Sequence, residues 1–147
     1  MTSGVCEQAV RKLTETYPAF RERVLTTTVY GRPVQSLVIG EGDRQVIFSA
    51  AHHANEWITA LVLLKFAEEL AEADRAGGNL WGVPAKTILK YSTIHMVPMV
   101  DPDGVDLVTG AIKPDSVEYQ QAQTIGARFP SIPFPEGWKA NLQGVGL

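Results

Sequence analysis

The chain has 147 residues, 45% of them hydrophobic and 20% charged, which is enough apolar content for one globular domain with a core of its own. A formal charge of -3 without a run of Lys or Arg leaves nothing to neutralise phosphates or to hold an anionic lipid surface, so neither nucleic acid nor membrane is an expected partner. The single cysteine, Cys6, excludes an internal disulfide and a thiolate zinc cluster.

Near the N-terminus, Glu7, Arg11, Lys12 and Glu15 interrupt the stretch where an export signal needs an unbroken apolar core. The longest nearly apolar run, 57–64, is far too short to span a bilayer. The expectation is a soluble, cytoplasmic chain. Val5, Ala9, Leu13 and Thr16 recur near helical spacing and predict a short amphipathic helix, closed by "YP" at 17–18 because a residue before proline is pushed out of the α region. Three β-branched runs at 23–30, 34–40 and 45–51, split by "GRP" and "GEGD", predict strands joined as antiparallel hairpins. The third, containing "QVIFSAA", does not alternate polar and apolar residues and reads as a central strand covered on both faces.

From Glu56 to Ala73, Lys65, Glu68, Glu69 and Glu72 form a stripe at i, i+3, i+4 and i+7, which predicts a helix with a narrow wet face. Gly77 and Gly78 end it within a surface loop. The segment "TILKYSTIHMVPMV" predicts a further strand that runs up to a tight turn at "DPDG", 101–104. Beyond it no period emerges, and Pro130, Pro133 and Pro135 predict an extended surface loop. The sum is an α/β domain, a mixed β-sheet flanked by helices, and such sheets bind ligands beyond the carboxyl ends of their strands.

The stretch "AHHANEW" lies at such an end. His53 and Glu56 stand three apart, so with Glu56 in the first turn of the helix an imidazole nitrogen and a carboxylate oxygen, both zinc ligands, can converge on one ion. Asn55 reads as the N-cap of that helix. The competing reading is that Glu56 sits at the positive end of the helix dipole while the histidines bond nearby backbone, and spacing alone leaves the two open. His95, in mid-strand, reads as a packed or hydrogen-bonded sheet residue, and His52 as pointing away from His53 into structural bonding. Cys6 reads as a plain thiol, and Asp101 and Asp103 as turn residues bonded to backbone. The chain contains no Gly-x-Ser-x-Gly elbow and no phosphate-binding loop.

Three motifs in order, "HHANEWIT" before an apolar helix, "MVPMVDPDGVDL" and "GWKANLQGV", resemble the zinc carboxypeptidase family. The flavour of "HHANEW" and "WKAN" is similar to the bacterial branch that cleaves γ-D-glutamyl-diamino acid bonds in peptidoglycan peptides. The resemblance implies that His53 and Glu56 are zinc ligands and that Lys139 falls where many members place an arginine that stabilises the oxyanion. It implies a peptide substrate and a mixed sheet between helices, and it covers residues 1–147 as the N-terminal part of the catalytic domain. Asp101 stands where the family has Asn. The third zinc ligand and the general-base glutamate lie beyond "QGV" in the family, so the expectation is a chain inactive or very weakly active alone. Its open sheet edge is then free for a second copy or for the missing half. A non-catalytic remnant or binding module that keeps the first-half fold is the alternative.

Overall fold

The structure, a computed structural model, describes residues 1–146. Helix α1 (Ser3–Thr16) is capped by Thr2, whose hydroxyl accepts from the Val5 amide, and it buries Cys6, Val10 and Leu13 along one face. The chain then forms β1 (Arg21–Thr27), β2 (Pro33–Ile39) and β3 (Arg44–Ser49), a single 3-10 turn (Ala54–Glu56), and α2 (Ile58–Ala76). Gly77 ends α2 in the left-handed conformation at φ 66°, as the sequence predicts. A small hairpin of β4 (Asn79–Leu80) and β5 (Val83–Pro84) follows, then α3 (Ala85–Tyr91), β6 (Ser92–Val97), α4 (Pro102–Val108) and α5 (Val117–Gly126).

The main sheet has the order β1-β2-β6-β3, with β1/β2 and β2/β6 antiparallel and β3/β6 parallel, so it is mixed, as expected. Leu37 and Ile39 of β2 and Ile94 and Met96 of β6 share the main core with Val10 and Leu13 of α1 and Leu63, Leu64 and Leu70 of α2. A second, smaller core of Ala54, Leu107, Ile112, Ala122, Trp138 and Leu142 lies under the turn that follows β3. Among the described residues no helix is long and apolar enough to cross a membrane.

Several expectations are corrected. The strand β3 is not central: it pairs only with β6 and forms an edge, with Ile47 71% and Phe48 42% exposed. Its unbroken apolar run calls for cover on both faces, yet the described residues cover it only in part: Val46 packs against the main core and Phe48 against Phe66, while Ile47 stays exposed. β2 and β3 do not pair as a hairpin, because β6 enters between them. The first part of the 87–100 segment is helix α3, with Ala85 and Leu89 buried one turn apart, and only Ser92–Val97 is strand.

The "DPDG" segment is not a free turn but the start of α4, with Asp101 as N-cap and Pro102 in the first helical turn. The "extended loop" beyond it contains α5, capped by Ser116. Asn55 does not cap α2: it lies inside the 3-10 turn, and Trp57 occupies the cap position without a side-chain bond.

Candidate metal centre

The parallel pair β3/β6 sets the position of the site. After Ser49 and Val97 the two chains stay in register: Ala50 N–H donates to Val97 O at 2.9 Å, Val100 N–H to Ala50 O at 3.0 Å and Asp101 N–H to Ala51 O at 3.0 Å. Ala51, at φ 48°, then turns the chain out of the sheet in a backbone region that a side chain rarely adopts. Its amide donates to Thr59 Oγ1 (2.8 Å), and that hydroxyl donates to Glu56 O (2.7 Å), so the first turn of α2 holds the 52–56 loop from behind.

Below the loop, Ala54 is fully buried and its amide donates to Lys139 O at 3.4 Å, which brings the 138–142 segment alongside. Gly104 of α4 closes the floor. A Cβ there would collide with the Asp101 carboxylate, lie 2.6 Å from Ala140 O and lie 2.8 Å from the Ala54 methyl, so only glycine lets the three segments meet.

On this frame the three residues singled out by the sequence come together. His53 Nδ1 lies 3.1 Å from Glu56 Oε1, and Lys139 Nζ lies 4.0 Å from the same oxygen. The side chains of His53 and Glu56 are 40% and 47% exposed, so the pair is open to solvent on one side. His53 Nδ1 is itself buried and makes no hydrogen bond: the 3.1 Å contact has the distance of one but not its angle. Two donors each about 2.1 Å from one tetrahedral ion stand about 3.4 Å apart, which is close to the observed separation. An unpartnered nitrogen beside a carboxylate oxygen at this spacing fits two ligands of a zinc ion.

The other histidines behave as structural residues. His52 Nε2 is 2.8 Å from Ser49 Oγ, and His95 Nε2 is 2.8 Å from Gln45 Oε1 on the neighbouring strand. Cys6 is buried in α1, and desolvation pushes its thiol up to about 12, so it is inert. Among the described residues no group of three or more His, Cys, Asp or Glu side chains is placed to hold a metal ion.

The sequence reading missed the carboxylates behind the site. Asp101 is 2% exposed: Oδ1 accepts from Gly104 N–H at 3.0 Å, while Oδ2 is buried without a partner. Burial, with a smaller contribution from the charge of Asp103, pushes this carboxyl up to about 7 against the opposing pull of the Gly104 amide. Asp103 and Asp106 are held by Arg32, through Nη1 at 2.7 Å and Nε at 2.8 Å, and Asp106 also accepts from the Ser3 amide (2.7 Å) and hydroxyl (2.6 Å). The available signal was the Asp-Pro pair, since Asp before Pro is a helix N-terminus pattern as well as a turn pattern.

This placement, a His-x-x-Glu pair at the end of a parallel strand with a lysine beside it, is accompanied by a direct family match. The chain belongs to the zinc carboxypeptidase family, a class of metallopeptidases, whose model matches residues 6–141. It is 32% identical over 138 residues to the gamma-D-glutamyl-L-diamino acid endopeptidase 1 of Lysinibacillus sphaericus, covering 94% of this chain and 34% of that protein. It is also 32% identical over 143 residues to the uncharacterized protein YqgT of Bacillus subtilis (strain 168), covering 96% of this chain and 37% of that protein. The chain thus spans about a third of the length of the curated relatives it matches.

Among solved structures, thrombin-activatable fibrinolysis inhibitor aligns with a TM-score of 0.68 at 16% identity, over 96% of this chain and 29% of that one. The carboxypeptidase A of Helicoverpa armigera aligns at 0.62 and 14% identity, over 96% and 28%. At these identities the structures establish the shared α/β fold.

Proposed function

We propose that residues 1–147 carry the first part of the catalytic domain of a zinc-dependent peptidase, with His53 and Glu56 as two zinc ligands and Lys139 as the cation beside the reacting carbonyl. The observation that carries this reading is the convergence of an unpartnered His53 Nδ1 and a Glu56 carboxylate oxygen at 3.1 Å, with Lys139 4.0 Å from the same oxygen. Zinc bound there would polarise a scissile carbonyl and lower the pKa of its bound water. The chain's own residues then do three things. His53 and Glu56 supply nitrogen and oxygen ligands, Thr59 holds the loop that presents them, and Lys139 places a positive charge where an oxyanion develops.

The substrate we propose is a peptide, with γ-D-glutamyl amide bonds of peptidoglycan-derived peptides as the specific class. The relative of that printed activity, 32% identical across nearly the whole of this chain, supports the choice. A catalytic zinc site uses three protein ligands and a water, so two ligands bind the ion without completing the site. The remaining ligand and the proton acceptor would come from a polypeptide paired along the free edge of β3. The two-ligand set also favours a second reading, a non-catalytic module that retains the fold.

Calorimetric titration with zinc separates the two. One ion per chain with submicromolar affinity, lost in His53→Ala and in Glu56→Ala, is the expected result; no stoichiometric binding would leave the non-catalytic module. The isolated chain is expected to show no zinc-dependent peptidase activity. Activity in the isolated chain that His53→Ala abolishes would overturn the two-ligand account.

A further inference from the structure

The segment that carries Lys139 is only loosely fastened to the loop that carries His53 and Glu56. Among the described residues its one backbone bond to that loop, from Ala54 N–H to Lys139 O, is 3.4 Å long, beyond the usual range of an N–H···O bond. Further bonds are internal to the segment: the Trp138 indole N–H donates to Asn141 O at 3.2 Å, and the Asn141 side chain accepts from the amides of Gln143 and Val145. The next carbonyl, Ala140 O, has no hydrogen-bond donor among the described residues. We propose that Asp101 is a positioning residue for Lys139: its carboxyl group, kept neutral, accepts from Gly104 N–H through Oδ1 and donates Oδ2–H to Ala140 O, which ties the Lys139 segment to the start of α4. The bond stands on geometry; only its bearing on catalysis rests on the metallopeptidase reading.

Asp101 Oδ2 and Ala140 O border the same small space, the place at Gly104 where any other residue would carry a side chain. A Cβ there would overlap Asp101 Oδ2 and lie 2.6 Å from Ala140 O. Asp101 is 2% exposed, and its Oδ2 is buried without a partner, whereas Oδ1 accepts from Gly104 N–H at 3.0 Å. Two acceptor oxygens cannot bond each other, and a proton on one of them turns the pair into donor and acceptor. Only the carboxyl group can hold that proton, and the desolvation cost of an orphaned buried oxygen favours it there. The main chain of Asp101 is fixed on both sides, its N–H donating to Ala51 O at 3.0 Å and its carbonyl accepting from Val105 N–H at 3.1 Å. The partner free to move is the segment with Lys139.

The charged and titratable groups around Asp101 come from three directions. On α4 stand Asp103 and Asp106, both held by Arg32 of the β1–β2 turn; on the loop packed against α4 stand His53 and Glu56; on the third segment stands Lys139, whose ammonium lies 4.0 Å from Glu56. Among the described residues none of these side chains bonds to the Asp101 carboxyl group. Burial pushes that carboxyl up to about 7, the Gly104 amide pulls against it, and the charge of Asp103 adds to the rise. Below about pH 7 the bond to Ala140 O holds Lys139 in register with Glu56. Above it the proton leaves, two acceptors face each other, and the segment keeps only the long bond from Ala54.

The test is NMR spectroscopy of the metal-free 147-residue chain between about pH 5 and pH 9. It is read at the Asp101 carboxyl carbon, the Ala140 carbonyl carbon, the Asn141 amide of the same peptide group, and the Ala54 amide bonded to Lys139 O. All four signals are expected to titrate together with a midpoint of about 7. Asp101→Asn keeps an acceptor for Gly104 and gives Ala140 O a permanent donor, so the other three signals are expected not to titrate in it. Asp101→Ser keeps an oxygen to cap α4 but has no second polar atom for Ala140 O, and its Ala54 amide is expected to exchange with solvent faster than that of Asp101→Asn at the same pH. An Asp101 carboxyl that titrates in the ordinary carboxylate range, or one whose titration the Ala140 carbonyl does not follow, would overturn the proposal. So would an Ala54 amide that ignores the titration and exchanges alike in both variants. A titration that survives in Asp101→Asn belongs to His53 or Glu56, which remain there, and has the same force. Zinc titration of the same proteins keeps the two readings apart: no zinc binding with the joint titration intact sinks the metal reading alone, and the converse sinks the role of Asp101 alone.

Discussion

At the residue scale the cost of the fold concentrates in Asp101. Its carboxyl caps α4 through Oδ1 but leaves Oδ2 buried and unpartnered, and burial raises its pKa from 3.8 to about 7. Below about pH 4 the group is protonated in both the folded and unfolded chain, so it adds no pH dependence there. As pH rises from about 4 to about 7 the unfolded chain releases the proton while the folded one retains it, so this group's contribution to stability falls through that window and levels off above it. The loss is on the order of 4 kcal/mol. Asp101→Asn, which keeps an oxygen for the Gly104 amide and cannot ionise, is expected to remove this slope. Urea midpoints measured between pH 4 and pH 8 check it: a parallel descent in both proteins would show that Asp101 ionises normally in the folded state.

At the scale of elements, three segments distant in sequence are fastened at one point. Arg32 in the β1–β2 turn grips Asp103 and Asp106 of α4, while Ser3 at the start of α1 donates twice to Asp106 and Thr28 Oγ1 donates to Asp103 at 3.1 Å. Gly104, the floor of the loop that carries His53 and Glu56, and Val105, part of the main core, lie between these aspartates, so the network holds that loop from below. Removing the cation strands two nearly buried carboxylates, and breaking a buried pair in this way costs about 3–5 kcal/mol. Arg32→Ala is therefore expected to lower the urea midpoint sharply, and Arg32→Lys to recover only part of it because an ammonium cannot address both carboxylates with a planar fork. A loss within about 0.5 kcal/mol in Arg32→Ala, the scale of an ordinary surface change, would show that the network contributes nothing.

The elements also divide into those that the sequence discloses and those it conceals. Helices α1 and α2 were legible because each buries one face at a 3.6-residue period, and the loop carrying His53 and Glu56 was legible because it falls where a strand ends and a helix begins. α3 was hidden because Ile88, Leu89 and Tyr91 have the composition of a strand, and only their packing against β6 and α2 decides for helix. α5 was hidden because it buries one residue, Ala122, which leaves almost no period to detect. Family resemblance alone singles out Lys139, and it does not foretell the approach of Lys139 to Glu56. Nothing local in "GWKANL" discloses it, since it depends on the backbone bond from Ala54 to Lys139 across the 54–139 separation.

At the scale of the whole molecule, one side of the sheet edge remains open. β3 offers the unpaired backbone groups of an edge strand, with Ile47 and Phe48 exposed on it. Beside it on α2 is the exposed Val62, and Trp81 stacks flat on Phe66 at 5.8 Å, with Phe66 edge-on to Phe48 at 5.4 Å. Natural edges are blunted by charged residues, proline or a bulge; β3 has a single charge, Arg44 at its first position, and neither of the others, so Gln45 to Ser49 are a template for pairing. A polypeptide that pairs in parallel with β3 brings its carboxyl end beside His53 and Glu56, where it can add a ligand to the proposed pair. A second copy across a two-fold axis pairs antiparallel and places the two metal pairs at opposite ends. Self-association through this edge is thus expected and is expected not to complete the site. Sedimentation velocity across the micromolar range should show the 147-residue chain associating with concentration. Ile47→Lys, at an exposed position on the edge, should return it to monomer with its zinc affinity unchanged. A wild-type chain that stays monomeric at every concentration would show that the edge is protected as it stands. A gain of zinc stoichiometry or peptidase activity on association would show that a second copy, contrary to the strand directions, does supply the missing ligand.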